Sequence, residues 1–153
     1  MTETPQGAEA DEVQPPDRLR GLPSRLLAMT AARADRVVSE RLAAEDARKW
    51  HYAVLASLDE HGPASQADVS RRTGIYRSDL VAVLNELEER GHVARTPDPA
   101  DRRRNVVTLT AQGRRHLKRL DKVLADAQDD LMEPLSVAER ALLVSLLERM
   151  LTR

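Results

Sequence analysis

The sequence has no cysteine and no phenylalanine, and only one tryptophan and two tyrosines. Without thiols there is no disulfide, no thiol redox switch and no thiolate metal ligand. With so few aromatic rings, Leu, Val and Ala must fill any core, which suits packed helices. No apolar run reaches the roughly 20 residues that a membrane-spanning helix needs. The first residues, MTETPQGAEADEVQPPD, lack the basic and apolar regions of a secretory signal, so the expected location is the cytoplasm. The four histidines, His51, His61, His92 and His116, show no metal-ligand spacing, and there is no glycine-rich phosphate loop. Ser65 and Ser136 read as helix caps before they read as nucleophiles. The expectation is a protein that is not an enzyme and takes neither cofactor nor metal.

Net charge is also nearly absent, at −1 over 153 residues, but that average hides a partition. Residues 1–17 carry five acidic side chains and no Lys or Arg, so the remainder holds all 24 basic residues against 20 acidic ones. From Arg90 to Arg119 there are nine basic side chains and two acidic ones. A local excess of this size, and not the mean, sets the attraction for a polyanion; a solvated Arg-rich helical surface is the plainer alternative. Residues 1–17, with three prolines and no apolar period, read as a disordered acidic tail.

From Leu19 the pattern becomes helical. Leu22, Leu26, Met29, Arg33, Val37 and Arg41 recur three and four apart, with Pro23 near the first turn. This helix has little of its own chain to cover it, and reads either as a dimerisation arm over residues 18–46 or as a helix packed on its own domain. A second helix runs from about Ala47 to Glu60 and is stopped by His61-Gly62-Pro63. Ser65-Gln66-Ala67-Asp68 caps a short helix that ends at Thr73, where Gly74 permits a left-handed turn. A further helix spans about Arg77 to Arg90, burying Leu80, Val83, Leu84 and Leu87, and Gly91 ends it.

The period then switches. His92–Arg95 and Asn105–Leu109 read as short strands around the turn-rich, charged connector from Thr96 to Arg104. Thr110 and Ser136, the latter in a full capping box with Glu139, open two closing helices with leucine stripes, assigned to dimerisation over residues 114–153. The expected fold is mainly α with a small β-hairpin wing: a winged helix-turn-helix over residues 47–113, dimerising through its N- and C-terminal helices.

That order of elements carries its own chemistry. The second helix of a helix-turn-helix enters the major groove of double-stranded DNA. Here its exposed early positions are Arg77, Ser78 and Ala82. Arg77 reaches either a guanine edge or a phosphate. Asp101-Arg102-Arg103-Arg104 sits at the hairpin tip, where three adjacent guanidiniums gain nothing from a core and suit a narrow minor groove. Asp101 is expected to hold one of these arginines by a charge-assisted hydrogen bond.

The stretch SQADVSRRTGIYRSDLVAVLNELEERGHVARTPDPADRRRNVVTLTAQG resembles the MarR family of bacterial winged-helix regulators. The most specific parts are Leu84-x-x-Leu87-x-x-x-Gly91, the Asp101-Arg102-Arg103 tip and Leu109-Thr110-x-x-Gly113. The resemblance implies a triangular homodimer that holds two winged lobes on a palindromic operator. It also implies a repressor, on the nucleoid when bound, released by a small anionic or phenolic ligand. It puts the minor-groove arginine on Arg103, its supporting aspartate on Asp101 and the recognition-helix contacts on Arg77, Ser78 and Asp79. Two departures stand out: Tyr76 replaces a small capping residue, and the lack of cysteine excludes sensing through a thiol.

Trp50-His51-Tyr52 is a local concentration of aromatic groups in an aromatic-poor chain. With Arg48 or Lys49 to neutralise an anion, Arg48, Trp50, His51 and Tyr52 form a candidate ligand site. The competing reading makes these rings ordinary packing residues. An effector-free DNA-binding protein, or an interaction module on the same scaffold, remains the alternative function.

Overall fold

A computed structural model describes residues 14–152, and the chain divides into two units at Arg33. Most of the acidic tail therefore lies outside the described residues. In the first unit, α1 is one turn, Asp17–Arg20, closed by an Asp17–Arg20 ion pair at 3.0 Å. α2 (Pro23–Ala43) starts here. The single helix expected from Leu19 is thus two, broken at Gly21-Leu22. The cause is local: Pro23 lacks an N–H and disfavours helical geometry in the residue before it, yet is itself well placed at a first helical position. Leu22, Leu26, Leu27 and Met29 are exposed.

The second unit holds the end of α2, then α3 (Lys49–His61), β1 (Ala64–Ser65), α4 (Gln66–Thr73) and α5 (Arg77–Glu89). β2 (Val93–Pro97), β3 (Asn105–Leu109), α6 (Ala111–Leu131) and α7 (Val137–Leu151) follow. Leu42, Val54, Leu55, Val69, Leu84, Leu87, Val107 and Leu120 are completely buried and form one core. Val69 and Ile75 anchor α4 and its turn in that core. α7 is different: Leu142, Val144, Leu146, Leu147, Met150 and Leu151 all face outward.

The caps explain the boundaries. Ser65 Oγ accepts from the Asp68 amide at 3.1 Å, and Gly74 ends α4 at φ 73°. Ser136 and Glu139 form a reciprocal capping box on α7. The wing is an antiparallel sheet of order β1-β3-β2, with Val93 opposite Leu109 and Pro97 opposite Asn105. β1 was not expected; its two residues pair with Val106 and Val107 and tie the wing to the start of α4.

One junction joins the recognition helix, wing and α6. Gly91 (φ 75°) ends α5, the His92 amide returns to the Leu87 carbonyl at 2.9 Å, and the His92 carbonyl accepts from Thr110 at 3.1 Å. Thr110 Oγ1 donates to the Gly91 carbonyl at 2.6 Å and accepts from the Gly113 amide at 2.9 Å. A Cβ on Gly113 would overlap the His92 carbonyl. The spacing Thr110-x-x-Gly113 is therefore a cap followed by a close backbone approach.

Candidate nucleic-acid interface and effector cleft

The turn before α5 is held by side chains as well as by glycine. Ser70 Oγ donates to the Ile75 carbonyl at 2.6 Å, and Thr73 Oγ1 donates to the Val69 carbonyl at 2.7 Å. α5 then presents Arg77, Ser78, Asp79 and Ala82 as an exposed strip, while Leu80, Val83, Leu84 and Leu87 face inward. Tyr76, 80% exposed, occupies the N-cap position without a side-chain cap.

The wing tip is an ordered turn. The Asp98 amide donates to the Arg104 carbonyl at 2.7 Å, and Asp98 Oδ1 accepts from the Ala100 amide at 2.9 Å. Asp101 Oδ1 accepts from the Arg103 main-chain amide at 3.1 Å. Its carboxylate is 3.6 Å from Arg103 Nε and 3.8 Å from Arg104 Nε, ion-pair distances beyond a hydrogen bond. The expected charge-assisted bond to a guanidinium is therefore a bond to the backbone, with the two cations drawn in by charge. Arg102 is exposed beside them, and the Arg103 side chain is 94% exposed.

A cleft of about 560 Å³ lies between α4, α5 and the wing, lined among others by Arg71, Arg77, Arg103, Arg104 and Asn105. It brings the recognition-helix and wing-tip arginines onto one side of the molecule. Arg95 takes another course. Its guanidinium donates to both carboxylate oxygens of Glu88, at 3.1 and 3.2 Å, and to Asn85 at 2.6 Å. These bonds pin β2 to α5 and hold the Glu88 carboxyl below the usual range. Neither Glu88 nor Asn85 has a sequence signal, because the contact depends on how the wing folds back.

The aromatic segment on α3 is divided between environments. Arg48, Lys49 and the half-exposed Trp50 line a largely apolar cleft of about 470 Å³ with Ser39, Ala43 and Ala47. His51 and Tyr52, expected beside Trp50, do not line it. His51 is buried: Nδ1 accepts from the Arg48 amide at 3.1 Å, leaving Nε2–H to donate to Glu86 Oε2 at 2.6 Å. Burial lowers its pKa, partly offset by Glu86. Tyr52 donates to Asp121 Oδ1 at 2.7 Å, and burial together with that carboxylate pushes its hydroxyl up to about 12. Helical periodicity explains the split, since consecutive residues point about 100° apart.

A second histidine site lies at the junction below the wing. His92 and His116 stack with centroids 4.3 Å apart and planes 16° from parallel. Both are buried, and among the described residues His92 Nδ1 has no hydrogen-bond partner. Burial, reinforced by His116, Arg90 and Arg119, pushes His92 down to about 4; burial and Arg119 lower His116.

The comparison with known proteins fits this arrangement. A model of the MarR family matches residues 46–104, from the start of the α3 region to the wing tip. Over these residues the chain is similar to the MarR family, and it has the winged helix-turn-helix fold of that family. The chain is similar to the HTH-type transcriptional repressor NicR of Pseudomonas putida, 30% identical over 100 residues that cover 65% of this chain and 63% of NicR. The matched stretch spans about three fifths of the length of the first curated relatives. Among solved MarR-like structures, Bordetella bronchiseptica BpsR, studied for the regulation of its DNA binding by 6-hydroxynicotinic acid, superposes with a TM-score of 0.78. It is 27% identical and covers 91% of this chain and 99% of its own. A cysteine-to-serine mutant of Escherichia coli MarR, complexed with operator DNA, superposes at 0.74, with 26% identity and coverage of 84% and 92%. MarR-family members are DNA-binding transcription regulators, and the fold matches theirs: mainly helical with a small antiparallel wing. Among the described residues, no helix is long and apolar enough to cross a membrane.

Proposed function

We propose that this protein is a transcription repressor that binds a palindromic operator as a homodimer and is released by a small planar aromatic acid or phenol. The carrying observation is the convergence of Arg77 on α5 with Arg103 and Arg104 on the wing around one cleft. A helix start and a hairpin tip so placed suit adjacent major and minor grooves of one duplex. In this reading Arg77, Ser78, Asp79 and Ala82 face the major groove. Arg103 enters the minor groove, Asp101 shapes the turn that aims it, and Arg102 and Arg104 hold phosphates.

The homodimer accounts for the outward-facing leucines of α7 and the exposed apolar residues of α2, which a solitary chain would leave in water. The released state draws on the Trp50 cleft, where an aromatic ring has an apolar wall and a carboxylate has Arg48 and Lys49. BpsR, whose DNA binding responds to an aromatic hydroxy acid, supports that ligand class.

The test is selection of bound fragments from genomic DNA, followed by anisotropy titration of a recovered fragment with and without benzoate, salicylate or 6-hydroxynicotinate. Sedimentation should give about twice the 17.1 kDa chain mass. Recovery of no preferred sequence would remove the operator reading, a stable monomer the architecture, and unchanged DNA affinity with every acid the effector.

A further inference from the structure

The cations at the Trp50 cleft are not waiting for a ligand. Lys49 is bonded to Asp35 of α2, and the Arg48 guanidinium donates to Glu86 Oε2 of α5 at 2.5 Å. The same Glu86 oxygen accepts from buried His51 Nε2. Arg48 therefore belongs to two sites at once: it lines the cleft, and it helps hold the recognition helix against α3. Glu86 is the acceptor for both of those donors at the start of α3.

We propose that an aromatic carboxylate entering this cleft exchanges with Glu86 for the Arg48 guanidinium, so that occupancy of the cleft loosens the tie between α3 and the recognition helix. The inference rests on the effector reading above and adds its route. The ligand's ring lies along Trp50 and the apolar wall, and its carboxylate offers Arg48 the planar acceptor that Glu86 offers in the free protein. The exchange is feasible because the Arg48–Glu86 pair is partly exposed, 57% and 38% by side chain, so the competing anion displaces a solvated ion pair and not a buried one. It has a direction because Glu86 loses one of its two partners at the start of α3, the N-cap Arg48, while His51, which is buried, cannot follow the ligand. Lys49 adds charge at the same rim and can release Asp35 in the same way.

The experiment uses the full chain, wild type and Glu86→Gln. Trp50, the only tryptophan, reports benzoate, salicylate and 6-hydroxynicotinate binding by fluorescence quenching. Hydrogen exchange over residues 80–89 reports the hold on α5. Expected is quenching in both proteins, with Glu86→Gln binding about two- to fivefold tighter, the fold-change that loss of an exposed competing ion pair corresponds to. Ligand should raise α5 exchange in wild type towards the level of ligand-free Glu86→Gln, and should add nothing further in that variant. Equal affinities overturn the exchange. So does α5 exchange that still responds to ligand in Glu86→Gln, because tighter binding alone would then be only the removal of a nearby negative charge. Arg48→Gln gives a second check: it should weaken binding and start with raised α5 exchange, and wild-type affinity in it overturns the role of Arg48. Absence of quenching in every protein removes the effector reading itself, which is distinguishable from failure of the exchange alone.

Discussion

Acid should loosen this protein well before its carboxylates begin to titrate, and His92 supplies the largest resolved part of the effect. Its imidazole is buried against His116, with Arg90 and Arg119 near enough to oppose a further positive charge, and its pKa is held at about 4. In the unfolded chain the same group titrates at 6.5. Between those two values the unfolded state binds more protons than the folded one, so stability rises with pH across the window. The contribution is complete above 6.5 and is lost as pH falls through the folded value. The full separation corresponds to about 3 kcal/mol, and about 2 kcal/mol is already gone when pH drops from 7.5 to 5.0. His51 and His116 shift in the same direction and add to the loss. Glu86 and Glu88, whose pKa values are lowered from 4.5, contribute stability that is retained at pH 5.0 and lost below it, so they stay out of the comparison. The assay is urea unfolding followed by circular dichroism at both pH values and one protein concentration, for wild type and His92→Leu. Wild type should lose at least about 2 kcal/mol, and the variant about 2 kcal/mol less than wild type. An equal acid loss in both proteins, or a flat wild-type stability across this range, would refute the reasoning.

Three further outcomes are expected. Gly113→Ala should destabilise by about 1–3 kcal/mol in thermal or urea unfolding, because its methyl group overlaps the His92 carbonyl and the α6 start must shift. In DNA titrations at two salt concentrations, Arg103→Ala should lose specific affinity and A·T preference at the wing. Asp101→Ala should also bind more weakly although it removes a negative charge, because Asp101 bonds the Arg103 amide and shapes the turn; tighter specific binding would make Asp101 a bystander.

The helix boundaries were legible where a capping chemistry marks them. Ser65, Gly74, Thr110 and Ser136 each sit at the end that their side chain or backbone freedom predicts. The break at Gly21-Leu22 was hidden because the apolar period continues across it, although Pro23 carried the signal. β1 has only two residues and no pattern to read; it exists because β3 offers it a free edge. At the candidate sites, residue types were readable and directions were not. Arg77 and the wing arginines emerge on one side, whereas His51 and Tyr52 turn away from Trp50 to partners 35 and 69 residues distant. Glu86, Glu88 and Asp35 look like ordinary solvated carboxylates in the sequence, and only tertiary packing assigns each a cation.

The wing behaves as a cantilever with a clamped root. Near the helices it is fastened by the rungs to β1, by the Arg95 fork on Glu88 and Asn85, and by Thr110 and Gly113 against Gly91 and His92. Beyond Pro97 the bonds are the turn's own, from Asp98 and Asp101. A load at the tip is carried to this root, where the bending moment is greatest, so under the DNA-binding proposal the clamp sets the angle at which Arg103 meets a groove. A change at the clamp leaves the tip's own bonds intact and re-aims the whole beam, which under the same proposal shifts the step along a duplex that the arginine meets.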